Sequence, residues 1–169
     1  LKMKLSLLKH IKPVYMFSLT DPIYGKIHLS FLASKIINHP YFQRTHYLYQ
    51  TGTAYKKHPS STHSRFVHMV GTYEITHKLL TNMSEKNFID EKTRDLISIG
   101  GLCHDIGHGP FSHLFDNYVL KNLNIENKEY IEHESRSGML LEQLVDIYNI
   151  PLLSKEIDKI KRYIHPKEK

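Results

Sequence analysis

The sequence predicts a mainly α-helical single domain with a small β-hairpin on its N-terminal side, and three observations carry the prediction. Apolar residues recur at helical spacing through most of the chain. Proline, glycine and polar clusters break those stretches into segments of helix length. One pair of β-prone runs stands apart, around Asp21-Pro22 and Gly25. At 169 residues, 40% hydrophobic and 24% charged, the chain can bury one substantial core but has no room for a second full domain. The composition excludes disordered and collagen-like classes.

Taken in order, residues 1–14 read as an N-terminal extension and residues 15–169 as the domain. Lys4, Lys9, His10 and Lys12 interrupt the leucines of the extension and no small-residue cleavage site follows, so it is not a signal peptide. Residues 15–30 form the hairpin. Phe31, Leu32, Ile36 and Ile37 fall on one helical face, and Pro40 opens a second short helix carrying Phe42, Tyr47 and Leu48. Residues 52–62 are a polar connection. A long helix runs from about residue 63 to 83, with Phe66, Val67, Val70, Tyr73, Ile75, Leu79 and Leu80 as its apolar positions. A surface loop over 84–90 leads to a helix over about 91–104, which ends where Gly107, Gly109 and Pro110 forbid continuation. Residues 111–122 are predicted as a short helix, 133–149 as a longer one, and Pro151 starts a last helix that ends in a charged tail at 167–169.

No apolar stretch approaches the roughly 20 residues a bilayer requires. The single cysteine, Cys103, rules out an intrachain disulfide, so an intracellular protein without membrane attachment is expected. The formal charge of +6 suits anionic partners such as nucleotides, single-stranded nucleic acid or acidic surfaces, but the lysines are dispersed and a solvated basic surface accounts for them equally well. The 13 histidines are more telling, since imidazole is a common metal ligand that titrates near neutrality.

They concentrate in residues 100–116, GGLCHDIGHGPFSHLFD. An apolar helix delivers the adjacent pair His104-Asp105 at its end, and glycines let the backbone turn tightly beside it. Neighbours on a helix point about 100° apart, so both reach one ion only if it lies in a cleft near the helix end. A third ligand must come from elsewhere. His68 on the long helix is the natural donor, and Gly71 one turn later would permit close helix approach. Two imidazoles and a carboxylate with positions left open form a mixed set suited to Fe, Mn, Zn, Ni or Co. An open position lets such an ion bind and activate water.

The runs Thr62-His63-Ser64-Arg65-Phe66-Val67-His68-Met69-Val70-Gly71 and Gly101-Leu102-Cys103-His104-Asp105-Ile106-Gly107-His108-Gly109-Pro110-Phe111-Ser112-His113 resemble the HD-domain deoxynucleoside triphosphate triphosphohydrolases, in particular the animal members that join a SAM domain to an HD domain. Matching positions extend from about Asp21 to Ser135. The resemblance implies an HD-domain helical bundle and identifies His68, His104 and Asp105 as three metal ligands, with a fourth, an Asp, on a helix downstream of residue 169. It places His108, His113, Asp116 and His133 around the triphosphate and reaction centre, Arg65 on phosphate and Gln50 near the nucleoside. His113 is assigned as general acid. Asp116, three residues on, would face it on a helix and orient its ring. The implied cofactor is a divalent transition metal, with Mg accompanying the substrate triphosphate, and further copies of the chain are candidate partners.

Single residues also have plainer readings. Cys103 is a small core side chain, His63 either caps the long helix or touches phosphate, and His10, His28, His39, His46, His58, His77 and His165 face solvent. In the segment 31–47, where the resembled enzymes bind an activating nucleotide, Gln43 is kept but Asn38 stands for an Asp and His46 for an Arg. Guanine-nucleotide activation is therefore expected to be absent or altered. Three functions remain open: a dNTP triphosphohydrolase, an HD phosphohydrolase acting on another phosphoester, and a truncated non-catalytic module that binds nucleotide or nucleic acid.

Overall fold

The computed structural model describes residues 17–85 and 88–166. The expected N-terminal extension, the start of the hairpin at residues 15 and 16, and the charged tail at 167–169 lie outside the described residues, as does His10. Strands β1 (Phe17–Asp21) and β2 (Gly25–Leu29) pair antiparallel with Phe17 opposite Leu29 and Asp21 opposite Gly25. The turn between them follows from Asp21, whose Oδ1 accepts the N–H groups of Ile23 at 2.8 Å and Tyr24 at 2.9 Å, the local bond that favours Asp in turns. Ile27 and Leu29 point inward and are fully buried.

Helix α1 (Phe31–Ile37) starts at Ser30, whose hydroxyl accepts the Ala33 N–H. Helix α2 (Pro40–Gln43) places Pro40 in its first turn, where a missing N–H costs nothing. Its cap is His39, and Nδ1 of that ring accepts the Tyr41 N–H at 3.0 Å. His39 is thus buried at 4% exposure and edge-on to Tyr148 at 4.0 Å, which corrects the expectation that it faces solvent. His77 is likewise half-buried and stacked on Tyr73, and His165 is half-buried, whereas His28, His46 and His58 are exposed.

Four helices build the body: α3 (Arg65–Glu85), α4 (Glu91–Cys103), α5 (His133–Ile147) and α6 (Ser154–Ile164). Helix α4 packs between α3 and α6, and α6 also packs on α5. Their apolar faces join in one core that includes Met69, Tyr73, Ile99, Leu102, Cys103, Ile106, Leu141, Leu144 and Ile160. The close helix approaches are made by Gly101, where a Cβ would lie 3.1 Å from Thr76 Oγ1 of α3, and by Gly100, 3.0 Å from Tyr163 Cβ of α6. Gly71 does not serve that purpose; a Cβ there would meet the Tyr24 ring of the hairpin turn at 2.9 Å. No helix among the described residues is long and apolar enough to cross a membrane.

The largest departure is the helix predicted over 111–122. Phe111 and Ser112 adopt φ of 62° and 58°, left-handed values no α-helix can contain. Ser112 is pinned there because its hydroxyl receives Arg65 Nε at 2.9 Å and donates to the Tyr49 carbonyl at 2.7 Å. Helical geometry begins only at His113 and continues as a π-type turn over Phe115–Val119 and a 3-10 turn over Leu120–Asn122.

Candidate metal and catalytic site

The first turn of α3 supplies Arg65 and His68, the end of α4 supplies His104 and Asp105, and the N-terminus of α5 supplies His133. The turn and loop that follow α4 add His108, His113 and Asp116. The sequence-predicted residues therefore meet, in two adjoining clusters.

In the first cluster His68 Nε2 stands 3.2 Å from His104 Nε2 and 3.4 Å from Asp105 Oδ2, and His104 Nε2 stands 3.2 Å from the same oxygen. For metal bonds of about 2.1 Å, ligand atoms at angles between square and tetrahedral stand roughly 3.0–3.4 Å apart. The three donors fit one divalent ion by chemistry and by spacing. His104 is further prepared for this: Nδ1 lies 2.8 Å from the Gly101 carbonyl, so that nitrogen carries the proton and Nε2 keeps its lone pair.

Charge follows the same layout. Asp105 is nearly buried, which by itself would raise its pKa. The His104 and His108 rings and the charges of His104 and Arg65 outweigh burial and hold it far below the usual carboxylate range. For His104, burial pushes downward but the hydrogen bond and charge of Asp105 prevail, so its pKa is raised. Burial leaves His68 lowered.

Arg65 is fully buried. Nη1 bonds Asp105, Nε bonds Ser112 Oγ, and Nη2 reaches the Gln50 carbonyl at 3.2 Å. Its guanidinium is thus a buried partner of Asp105. Gln50 joins the site through that carbonyl, with its side-chain Oε1 buried and unpartnered.

The second cluster is centred on His108, which is fully buried between two carboxylates: Nε2 is 3.5 Å from Asp105 Oδ1 and Nδ1 is 3.2 Å from Asp116 Oδ2. Both approaches are oblique, and neither ring nitrogen nor Asp116 Oδ2 makes a directed hydrogen bond. His133 stacks on His108 at 3.8 Å and 19°, with its Nδ1 3.5 Å from Asp116 Oδ2. Burial, then the charge of His108, pull His133 down to about 4, and burial lowers His108 as well. His113 stands exposed at the edge, its ring T-shaped against His108 at 4.7 Å. The close partners of Asp116 are His108, His133 and Arg136, so the i, i+3 pairing expected to orient His113 through Asp116 is not formed. Asp116 sits in the π-type turn at Phe115–Val119, whose register is not that of an α-helix, and its carboxylate is taken by Arg136. A cavity of about 340 Å³ opens on this cluster, lined by His113, Asp116, Lys121, His133 and Glu134 among others.

The sequence reading missed the groups that hold the turn itself. Ser137 Oγ accepts the Gly107 N–H at 2.8 Å and donates to the His104 carbonyl at 2.7 Å. Arg44 donates to the Ile106 and His108 carbonyls, and Arg136 donates to Gly107 O at 2.9 Å. Arg136 and Ser137 stand three and four residues after His133, spacing that puts them on its helix face. Arg44 carries no such signal, because its partners are backbone carbonyls more than sixty residues away.

A helical bundle with a His-His-Asp triad where two helices converge offers a site that could hold a metal ion. The chain belongs to the HD domain family, whose model matches residues 65–168. It is 38% identical over 161 residues to the HD domain-containing protein L394 of Acanthamoeba polyphaga mimivirus, covering 85% of this chain and 34% of that protein. It is 38% identical over 146 residues to deoxynucleoside triphosphate triphosphohydrolase SAMHD1 of Bos taurus, covering 85% of this chain and 24% of that protein. With the Homo sapiens protein of the same name it shares 39% over 131 residues, 76% of this chain and 21% of the relative. The chain thus spans about a third or less of these relatives' length.

Proposed function

We propose that this chain is a metal-dependent phosphohydrolase that splits a deoxynucleoside triphosphate into deoxynucleoside and triphosphate. The observation that carries the reading is the triad, whose three donor atoms stand 3.2–3.4 Å apart beside a second cluster of three histidines and a carboxylate. The substrate class is taken from relatives whose own names specify it.

His68, His104 and Asp105 hold a divalent transition metal, one of Fe, Mn, Zn, Ni or Co, which when bound supplies Lewis-acid charge at the phosphoryl group and activates water. Arg65 serves this set by fixing Asp105. Hydrolysis breaks the bond between the α-phosphorus and the 5′ oxygen, and that oxygen must gain a proton as it leaves. We assign His113 to give it, a reading supported by its ring at the cavity edge beside His108 and His133. His133 lines the cavity that takes the phosphates, with the buried His108 stacked behind it and Asp116 beside both, and Gln50 borders the nucleoside side.

Elemental analysis of the purified protein, followed by incubation with dNTPs and Mg and identification of products, tests the reading. Triphosphate and deoxynucleoside support it. Nucleoside monophosphate or orthophosphate instead assigns the chain to phosphohydrolases of another phosphoester, and bound metal without turnover makes it a binding module. If metal persists in His104→Ala combined with Asp105→Ala, the ligand assignment is wrong.

A further inference from the structure

The geometry points to Arg136 as the positioning residue of this site, the group that sets the Asp116 cluster in register with the metal triad. The inference rests on the hydrolytic reading above. The guanidinium of Arg136 has four acceptors. Nη2 bonds Asp116 Oδ1, Nε donates to the Gly107 carbonyl at 2.9 Å, and Nη1 donates to the carbonyls of Tyr130 and Ile131, both at 2.8 Å.

Two of these partners belong to different parts of the site. Gly107 lies two residues after Asp105 in the turn that carries the triad, and Asp116 lies beyond the strained Phe111-Ser112 loop. The chain between them contains a proline and two left-handed residues; its backbone bonds, Ser112 N–H to Gly109 O at 3.2 Å and Asp116 N–H to Ser112 O at 3.5 Å, carry the main chain round the loop but leave the direction of the Asp116 carboxylate to a side-chain partner. The planar fork sets it, because its donors have fixed relative directions.

Holding Oδ1 also decides what Oδ2 does. With one oxygen committed to Arg136, the other faces His108 Nδ1 at 3.2 Å and His133 Nδ1 at 3.5 Å and has no hydrogen bond of its own. Arg136 is on the same helix as His133, one turn later, so the group that holds the carboxylate and one of the rings it serves move together. Its side chain is 16% exposed and Asp116 is 8% exposed, which keeps the pair largely out of water without touching the substrate side of the rings. Lysine cannot replace it, since a single ammonium cannot serve a carboxylate and three carbonyls spread around a planar fork.

The test is a set of variants on the metal-loaded full chain: Arg136→Lys, Arg136→Gln, Asp116→Asn and the Arg136→Gln/Asp116→Asn double. Arg136→Lys and Arg136→Gln are expected to lower kcat roughly 10- to 100-fold while KM and triad metal content stay within about twofold. In the Asp116→Asn background the Arg136→Gln change should add little, because its effect runs through that carboxylate. Additive losses, or losses matched by metal release, overturn the inference. A second readout needs no turnover: in the zinc-loaded protein, the imidazole NMR signals of His108 and His133 should shift in Arg136→Gln while those of His68 and His104 stay. If the wild type hydrolyses no phosphoester yet those two signals alone shift, the hydrolytic reading fails and the positioning role stands. If all four shift, or none, the positioning role fails.

Discussion

Replacing Gly107 with Ala should disable the site while leaving the fold intact. A Cβ at this position would lie 2.3 Å from the His133 carbonyl oxygen and 2.5 Å from the Ser137 nitrogen, whereas ordinary contact begins at 3.4 Å. Both obstacles are backbone of the first turn of α5, so no side chain can swing aside. The N-terminus of α5 must withdraw by about 1.1 Å, the gap between 2.3 and 3.4 Å, carrying His133, Arg136 and Ser137 with it. A misplacement of about 1 Å in a catalytic constellation costs on the order of 10²-fold, and forced overpacking costs about 1–3 kcal/mol of stability. At roughly 2–4 °C per kcal/mol for a chain of this size, the melting temperature should fall by a few degrees to about ten. Steady-state hydrolysis, elemental analysis and a thermal scan measure the three consequences, with triad metal content expected to hold. Gly25→Ala is the control: φ is +72° but no atom lies within 4 Å of the new Cβ, so it should cost about 1–2 kcal/mol with unchanged turnover. Gly107→Ala turning over within twofold of wild type would refute the docking argument.

Three further outcomes are expected. Asp105→Ala strands the buried Arg65 guanidinium and should cost about 3–5 kcal/mol in urea unfolding; a loss below about 1 kcal/mol would mean the pair is solvated. His113→Ala should slow hydrolysis by about 10²–10⁴-fold with metal content intact, and unchanged turnover would remove His113 from the role of acid. Burial lowers the pKa of His39, and its Nδ1 must stay unprotonated to cap α2. The unfolded chain therefore takes up the proton first, and stability should fall as pH drops below about 6.5 toward the folded value. His39→Asn, a cap that does not titrate, should flatten the fall between pH 7.5 and 5.0; an equal slope in both proteins would show that the ring does not contribute.

The chemistry was legible in the sequence because it is local. His104-Asp105 and the glycines behind it sit within one short run, and helical spacing delivered His68 to the same face of the bundle. The same periodicity puts the helix starts at about residues 63 and 91, against Arg65 and Glu91 in the structure; the cap at Asp90, whose carboxylate accepts the Thr93 N–H, falls in what the spacing reads only as loop. What spacing could not give was the path of the chain from 107 to 116. A helical reading paired Asp116 with His113, but Ser112 is held left-handed by partners at Arg65 and Tyr49, and Asp116 then sits in a π-type turn with its carboxylate taken by Arg136, all of them far away in sequence. That choice belongs to tertiary packing. The same holds for His39, a polar residue made interior by its contact with Tyr148.

Residue types and short spacings on their own singled out His68, His104 and Asp105 as side chains that could hold one ion, since ligand chemistry resides in the side chain and helical periodicity is a local property; the proton-handling histidines came only with the family resemblance. Only the tertiary structure decided how those groups are held. The guanidinium forks of Arg44, Arg65 and Arg136 act on carbonyls and carboxylates brought near by folding, and a hydrogen bond between groups distant in the chain leaves no period in the sequence to read.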